Sequence, residues 1–311
     1  MACLTISAEE EKRVKSLGFL SNKGTDNFSA RVLTVNGKIT AAQLKCISEA
    51  AELFGNGIIT FTTRLSIEVQ GIPHDKIEDF RAYIAKEGLV TGGTGPKVRP
   101  VVSCKGTTCQ YGLIDTFALS EEIHKRFFNG YSSVRLPHKF KIAVGGCPNN
   151  CVKPDLNDVG IIGQRIPDFD KDKCRGCKKC LIENTCPVKA SKVIDGVLQT
   201  NKDECNKCGR CIGKCPFNAV KEAATGYKIY IGGRWGKRIG LGKPLNKIFT
   251  DKEEALNVIE KTILLYKEQG KAGERLSETI ERLGFENVQN QLLSNDLLER
   301  KEKILAGEAN S

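Results

Sequence analysis

The chain has 311 residues, 40% hydrophobic and 27% charged, and Lys plus Arg outnumber Asp plus Glu by 48 to 37, a net charge of +11. This length suits two or three domains. No stretch approaches the ~20 consecutive apolar residues of a membrane helix, and the opening MACLTISAEEEKRV has no apolar run ahead of its charges, so neither a membrane span nor a secretory leader is expected and the chain reads as cytoplasmic. The basic excess favours anionic partners, whether nucleic acid, an acidic protein, or small oxyanions and polycarboxylates. The aromatic interleaving of a base-stacking surface is missing, and no nucleic-acid partner is expected.

The fourteen cysteines carry most of the information. In a reducing compartment disulfides are disfavoured, so metal ligation or catalysis is the better reading of so many thiols. Cys3 and Cys46 stand alone and read as small apolar residues. The TGGTGP stretch at 91–96 lacks the Gly-Lys-Ser/Thr ending of a phosphate-binding loop and by itself reads as a flexible turn. KVRPVVS precedes Cys104-x4-Cys109, and HKFKIAVGG runs into Cys147-x3-Cys151. Both runs read as strands ending in turns, which places each cysteine pair at a strand end. Lys139 and Lys141, two residues apart, would share one face of their strand. These four thiolates suffice for one [4Fe–4S] cluster, while spacing alone leaves a zinc site or four buried free thiols open.

The densest block follows. Cys205-x2-Cys208-x2-Cys211-x3-Cys215-Pro is the bacterial ferredoxin run, in which the fourth cysteine serves the other cluster. Cys205, Cys208, Cys211 and Cys186 are expected to hold one [4Fe–4S] cluster, and Cys174, Cys177, Cys180 and Cys215 a second. Five residues instead of three separate Cys180 from Cys186, which asks for a longer turn there. Two triplets fit poorly with zinc ribbons, which use isolated C-x2-C pairs. Residues 166–224 therefore read as a two-cluster module that carries electrons. Beyond 245 the chain reads as packing helices, with a capping box over Thr250–Glu253 and Leu256, Ile259, Ile263 and Leu264 at helical spacing. The mixed-charge segment from Val288 to Ser311 would dock on a partner or fray.

Several stretches together resemble the sirohaem-dependent nitrite/sulfite reductase family. LPHKFKIAVGGCPNN is similar to the family segment in which two lysines face the substrate, here Lys139 and Lys141. FSARVLTVNGKITAAQL resembles its first half-repeat, with Arg31 at the substrate-arginine position, and Arg99 matches a second active-site arginine. TFTTRLSIEVQGI resembles the sirohaem-contacting strand, with Thr62, Thr63 and Arg64 at the matching positions. The stretch with Gly92, Gly93 and Thr94 matches one lying against the macrocycle. The resemblance implies that Cys104, Cys109, Cys147 and Cys151 bind a cluster coupled to sirohaem, Cys151 bridging to the haem iron. The first pair is one residue closer than the family's usual C-x5-C, and Gln70 stands where histidine is common.

Taken alone, Arg31, Arg64, Arg99, Lys139 and Lys141 could each be a solvated surface charge. Several occupy apolar, strand-like settings where a buried charge needs a partner, which favours an anion site. The resemblance covers residues 25–165 and resumes at 226–240. It implies an α+β fold: a ferredoxin-like half-domain over 1–75, a sirohaem and coupled-cluster α/β sandwich domain in two parts over 76–165 and 225–311, and the bacterial-type ferredoxin domain inserted at 166–224. The implied activity is six-electron reduction of sulfite to sulfide with sirohaem and three [4Fe–4S] clusters. Electrons would enter through the inserted domain from a donor protein, either Fe–S or flavoprotein partner subunits or a ferredoxin. Nitrite reduction to ammonia and a haem-free electron-transfer subunit are the alternatives.

Overall fold

The computed structural model describes residues 6–307; Cys3 lies outside them. In chain order the elements are α1 (Ala8–Ser16), β1 (Phe19–Ser21), β2 (Phe28–Val32), α2 (Ala41–Phe54), β3 (Ile59–Phe61), β4 (Ile67–Ile72), α3 (Ile77–Ala85), β5 (Val102–Ser103), α4 (Thr116–Ile123), β6 (Ile142–Gly145) and β7 (Val159–Phe169). There follow α5 (Leu181–Thr185), β8 (Ser191–Ile194), β9 (Val197–Thr200), β10 (Val220–Ile231), β11 (Lys243–Phe249), α6 (Lys252–Gln269), α7 (Leu276–Leu283), α8 (Phe285–Leu293), α9 (Asp296–Glu299) and α10 (Lys301–Ala306). Two compact units emerge. The first takes the chain up to Ser103, Ala118–Ala143 and the part from Glu260 onward; the second takes Cys104–Phe117 and Val144–Ile259.

In the first unit an antiparallel sheet of order β1-β2-β4-β3 lies in one apolar core with α2 and α3. Phe19, Phe28, Val32, Ile47, Ile67, Val69, Phe80 and Ile84 are all essentially closed to solvent there. Each such side chain contributes about 1.5–3 kcal/mol by leaving water. Helix α2 starts at a capping box: the Thr40 hydroxyl accepts from Gln43 N (3.1 Å), and the Gln43 side chain accepts from Thr40 N (3.1 Å). Strand alternation then matters for function. Ala30 and Val32 are buried, so Arg31 between them points to the opposite face of β2, where its register partner on β4 is Glu68.

The C-terminal segment does not fray within the described residues. It forms α8, α9 and α10, and Val288, Leu292, Leu297 and Ile304 are buried. Each of the three short helices thus turns at least one apolar side chain inward, which the mixed surface charge had obscured. Arg300 ties α9 back to α6 through Glu268 while also pairing with Asp296 (2.7 Å).

The second unit is organised by β10, which pairs antiparallel with β7 from Val220↔Phe169 to Ile231↔Val159 and with β11 on its other edge. Residues 170–219 leave the ladder at Phe169 and re-enter it at Val220, directly opposite. An insertion whose two ends are hydrogen-bonded neighbours disturbs its host little. The inserted segment holds α5, the β8–β9 hairpin and a small core of Ile182, Leu198 and Val220, against which Cys174, Cys180, Cys211 and Cys215 pack. So small a core supplies little hydrophobic stabilisation of its own.

Three local expectations change. Of KVRPVVS only Val102–Ser103 is a ladder strand, because Pro100 has no N–H to give; Val98 instead forms a single parallel bridge with Phe140. HKFKIAVGG enters its strand only at Ile142, although Lys139 and Lys141 still alternate with buried Phe140 and Ile142 in an extended run. The region after 245 begins with the rest of β11. Its following helix is capped by Asp251, one residue later than the expected Thr250: Glu254 N donates to Asp251 Oδ1 (2.7 Å), and Ala255 N to Asp251 O (3.2 Å). Asp251→Ala is expected to cost about 1 kcal/mol and Thr250→Ala to leave stability within error, read from chemical denaturation of the two variants.

Candidate active site

In the first unit several cations converge. Arg31 donates from Nε (2.9 Å) and Nη2 (2.6 Å) to a single carboxylate oxygen of Glu68, both side chains about one-fifth exposed. Sequence reasoning marked Arg31 and missed Glu68, although the cross-strand register supplies it. Arg99 is held at its backbone by Phe140, whose carbonyl accepts from Arg99 N (2.8 Å), and at its guanidinium by the Gly93 carbonyl. Its Nε is buried and has no hydrogen-bond partner among the described residues. Burial, then Arg31, then Arg275 push the Arg99 pKa down to about 10. A buried guanidinium crowded by two others is a poor arrangement for stability alone and a good one for an anion.

Arg275, just ahead of α7, was not marked by sequence reasoning. It is 7% exposed, and its backbone N–H is capped by Glu278 (2.8 Å). It acts electrostatically on both Arg99 and His138. His138 is lowered in pKa by burial first, then by Lys139, Arg275 and Arg99. Its Nδ1 accepts from Lys139 N (2.7 Å). Burial and the neighbouring cations thus favour the neutral imidazole. Lys141 follows on the same side of the extended run, half-buried.

Thr62, Thr63 and Arg64 form the β3–β4 turn. Thr62 Oγ1 shares a hydrogen bond with Ser66 Oγ (2.7 Å), and Leu65 sits in the left-handed region at φ 62°. Arg64 Nη2 donates to Pro100 O (2.8 Å), so it braces the segment leading to Arg99, while Thr63 is exposed. Gly92 N donates to Arg31 O (3.1 Å). Gly93, at φ 73°, has Pro100 Cγ where a Cβ would come within 2.8 Å. Thr94 Oγ1 donates to Lys15 O (2.6 Å). The glycine-rich stretch is thus a fixed ledge against the strand that carries Arg31. The partnerless Arg99 Nε and the concentration of cations suit a polycarboxylate such as sirohaem together with an oxyanion.

The second unit gathers the thiols. Loops 104–113 and 146–151 are knitted by Cys104 N to Val144 O (3.1 Å), Gly146 N to Cys104 Sγ (3.1 Å) and Leu113 N to Gly146 O (2.9 Å). They approach so closely that a Cβ on Gly106 would come within 2.9 Å of Gly146 Cα. Burial raises the Cys147 pKa, and Cys104, Cys151 and Cys109 each add to that rise, so all four lie within electrostatic reach. Cys151 is the exposed member. In the inserted segment burial raises Cys211 to about 11, with further contributions from Cys205, Cys208 and Cys186, the four cysteines expected for one cluster. Cys174, Cys180 and Cys215 share the small core, with Cys177 on the loop between the first two. Every described cysteine is a free thiol. Among the described residues no three His, Cys, Asp or Glu side chains are arranged to hold one metal ion. A [4Fe–4S] cluster asks for a different donor set, four cysteines, and the two quartets sensed by Cys147 and Cys211 fit it.

This fold and these thiols define a class: the chain belongs to the nitrite and sulphite reductase family. Residues 94–301 match its Nitrite and sulphite reductase 4Fe-4S domain, and residues 21–87 its Nitrite/Sulfite reductase ferredoxin-like half domain. The chain is similar to the Coenzyme F420-dependent sulfite reductase of Methanocaldococcus jannaschii, 35% identical over 246 residues, which are 78% of this chain and 38% of that one. It is also similar to one subunit of the anaerobic sulfite reductase of Salmonella typhimurium, 31% identical over 168 residues and 47% of each chain. It thus spans less than half the length of either relative. The crystal structure of dissimilatory sulfite reductase I superposes with a TM-score of 0.68 over 86% of this chain and 69% of that one, at 22% identity. The architecture is therefore the family's α+β fold, and sirohaem with a [4Fe–4S] cluster is its cofactor set.

The depressed pKa of Arg99 has a sign that can be tested. Below pH ~10 Arg99 is charged in both states, and the fold bears the full cost of burying it; stability is regained only as pH rises from about 10 towards 12.5. Arg99→Met is therefore expected to leave the melting temperature of the cofactor-free protein at pH 7 unchanged or raised, while weakening retention of anions; a clear loss of stability would contradict an anion-binding cation.

Proposed function

We propose that this chain is a sirohaem-dependent sulfite reductase that carries sulfite to sulfide by six electrons. The observation that carries the reading is the gathering of Cys104, Cys109, Cys147 and Cys151 within reach of one another at the loops after β5 and β6. It is supported by the cation cluster around Arg99 and by relatives named as sulfite reductases. In this reading those four cysteines would hold the coupled cluster, and Cys151, the exposed member, would link it to the haem. Once bound, the haem and its cluster supply the redox chemistry, and the protein contributes position and field.

Arg31, Arg99, Lys139 and Lys141 hold the oxygens of sulfite by charge-assisted hydrogen bonds. To do so Arg31 exchanges part of its contact with Glu68 for the substrate, so Glu68 keeps that guanidinium oriented until the anion arrives. Arg275 reinforces the positive field from outside the substrate-contacting set. The lysines donate protons as oxygen leaves as water. Thr62, Thr63, Arg64, Gly92, Gly93 and Thr94 line the macrocycle. Cys205, Cys208, Cys211 and Cys186, and Cys174, Cys177, Cys180 and Cys215, would hold two further clusters, which would supply a one-electron route from a donor protein of the Fe–S or flavin class. Among the described residues no helix is long and apolar enough to cross a membrane, and we assign the enzyme to the cytoplasm.

The deciding experiment is an anaerobic preparation assayed with a reduced viologen dye. Sirohaem bands with sulfide formed from sulfite support the reading. Ammonia from nitrite with little sulfide would move the substrate to nitrite, and cluster absorption without porphyrin bands would leave an electron-transfer subunit. Lys141→Ala is expected to lower sulfite turnover on the order of 10²-fold with haem content intact; near-normal turnover would remove Lys141 from the mechanism. Cys151→Ser should abolish the spectroscopic coupling of haem to cluster, an outcome read by EPR.

A further inference from the structure

We propose that electrons leave the inserted module through its second cysteine run: the cluster on Cys205, Cys208, Cys211 and Cys186 hands over to the cluster on Cys104, Cys109, Cys147 and Cys151, and Arg210 with Tyr111 positions that hand-off. The inference rests on the sulfite reductase reading and adds the order of the clusters to it.

The geometry lies wholly within the second unit. A cavity of about 210 Å³ is lined by Tyr111, Cys147, Pro148, Arg165, Cys208 and Arg210, among others. One thiol of each quartet therefore opens onto the same small space. A second cavity beside it, of about 130 Å³, is bordered by Pro148 and Asn150 from one cysteine loop and by Asn206 from the other. Both cavities separate the Cys147–Cys151 loop from the Cys205–Cys208 loop. Neither takes a residue from the first run, 174–187.

The second run is also fastened where it faces Cys147. Arg165 N on β7 donates to Lys207 O (2.8 Å), and Arg165 bridges Cys208 in parallel. Gly209, at φ 69°, leaves room for the Arg165 side chain: a Cβ there would meet Arg165 Cβ and Cδ at 2.7 Å. Arg165 is in turn ion-paired with Glu222 on β10 (2.6 Å). The Arg210 guanidinium then lies 5.0 Å from the centroid of the Tyr111 ring, closing the cavity from the rim with a cation–π contact. On the first run Arg175, Lys178 and Lys179 are exposed, and Leu181 is 53% exposed, a surface that suits an acidic donor protein. Arg210 and Lys214 of the second run are exposed as well, so what separates the runs is that only the second lines the two cavities.

In each passage one electron leaves the cluster on the second run, which is oxidised by one, and the coupled cluster is reduced by one. No bond forms or breaks and no proton is required. The vacancy is refilled from the cluster on the first run, and that from the donor protein.

The test uses the full chain, prepared anaerobically with its haem and clusters, reduced and mixed with sulfite, and freeze-quenched for EPR of the reduced clusters. Arg210→Ala is expected to slow reoxidation of the module's clusters several-fold, with iron and haem content unchanged, and to lower the midpoint potential of one module cluster because a cation has left its surroundings. Arg210→Lys and Tyr111→Phe should keep most of the rate, and Lys192→Ala, which removes an exposed cation of β8 that lines neither cavity, should leave it as in the parent protein. Parent-like reoxidation in Arg210→Ala with no change in potential, or equal slowing in Lys192→Ala, would overturn the order of the clusters. A parent protein lacking porphyrin bands would overturn the enzymatic reading and this inference with it. Reoxidation by nitrite in place of sulfite would correct only the substrate, and the same variants would still read the hand-off.

Discussion

The antiparallel ladder between β7 and β10 is the constraint from which the second unit is built. Backbone hydrogen bonds run from Val159 to Phe169 on one strand and from Val220 to Ile231 on the other. Because the two strands meet again at Phe169 and Val220, fifty residues can be inserted at their ends without opening the sheet. The same strand β7 carries Arg165, which holds the Cys205–Cys208 loop, and Gly163, whose missing Cβ lets Gly146 O approach within 2.5 Å of that position. One ladder thus sets the place of both cysteine loops. Loops of this kind have little intrinsic order, and a rigid pair of strands is what gives their thiols fixed positions.

The first unit is arranged around a different problem, like charges held at close quarters. Arg31, Arg99 and Arg275 repel one another, and burial removes the water that would screen them. Glu68 balances Arg31 and Glu278 moderates His138, but Arg99 keeps a buried Nε with no partner. The framework that holds this arrangement is apolar: the core beneath β2 and β4, and Phe140 between the two lysines. A protein selected only for stability would place a hydrocarbon at Arg99. A retained buried cation suits a bound anion instead, in keeping with the function proposed above.

Much of this was legible in the sequence because cysteine spacing is a local property. Cys205, Cys208 and Cys211 recur at every third position along one loop, and Cys186 lies within electrostatic reach of Cys211. Strand alternation was equally readable at Lys139 and Lys141. Glu68, Arg275 and the cap at Asp251 were not. Glu68 meets Arg31 through strand register, Arg275 comes from a segment more than a hundred residues away in the chain, and a capping bond depends on which of two adjacent polar residues takes the extended backbone.

The sequence by itself therefore determined the chemistry available: twelve thiols in three groups, a basic surplus that suits anions, and the family to which such a combination belongs. Its short-range patterns suffice for this because a cluster-binding loop is defined by residues a few positions apart. Only the tertiary structure decided which charges face each other and which cysteine run lies beside Cys147. Those relations are set by strand register and by close approaches such as Gly209 on Arg165, where packing, and not spacing along the chain, brings the atoms together.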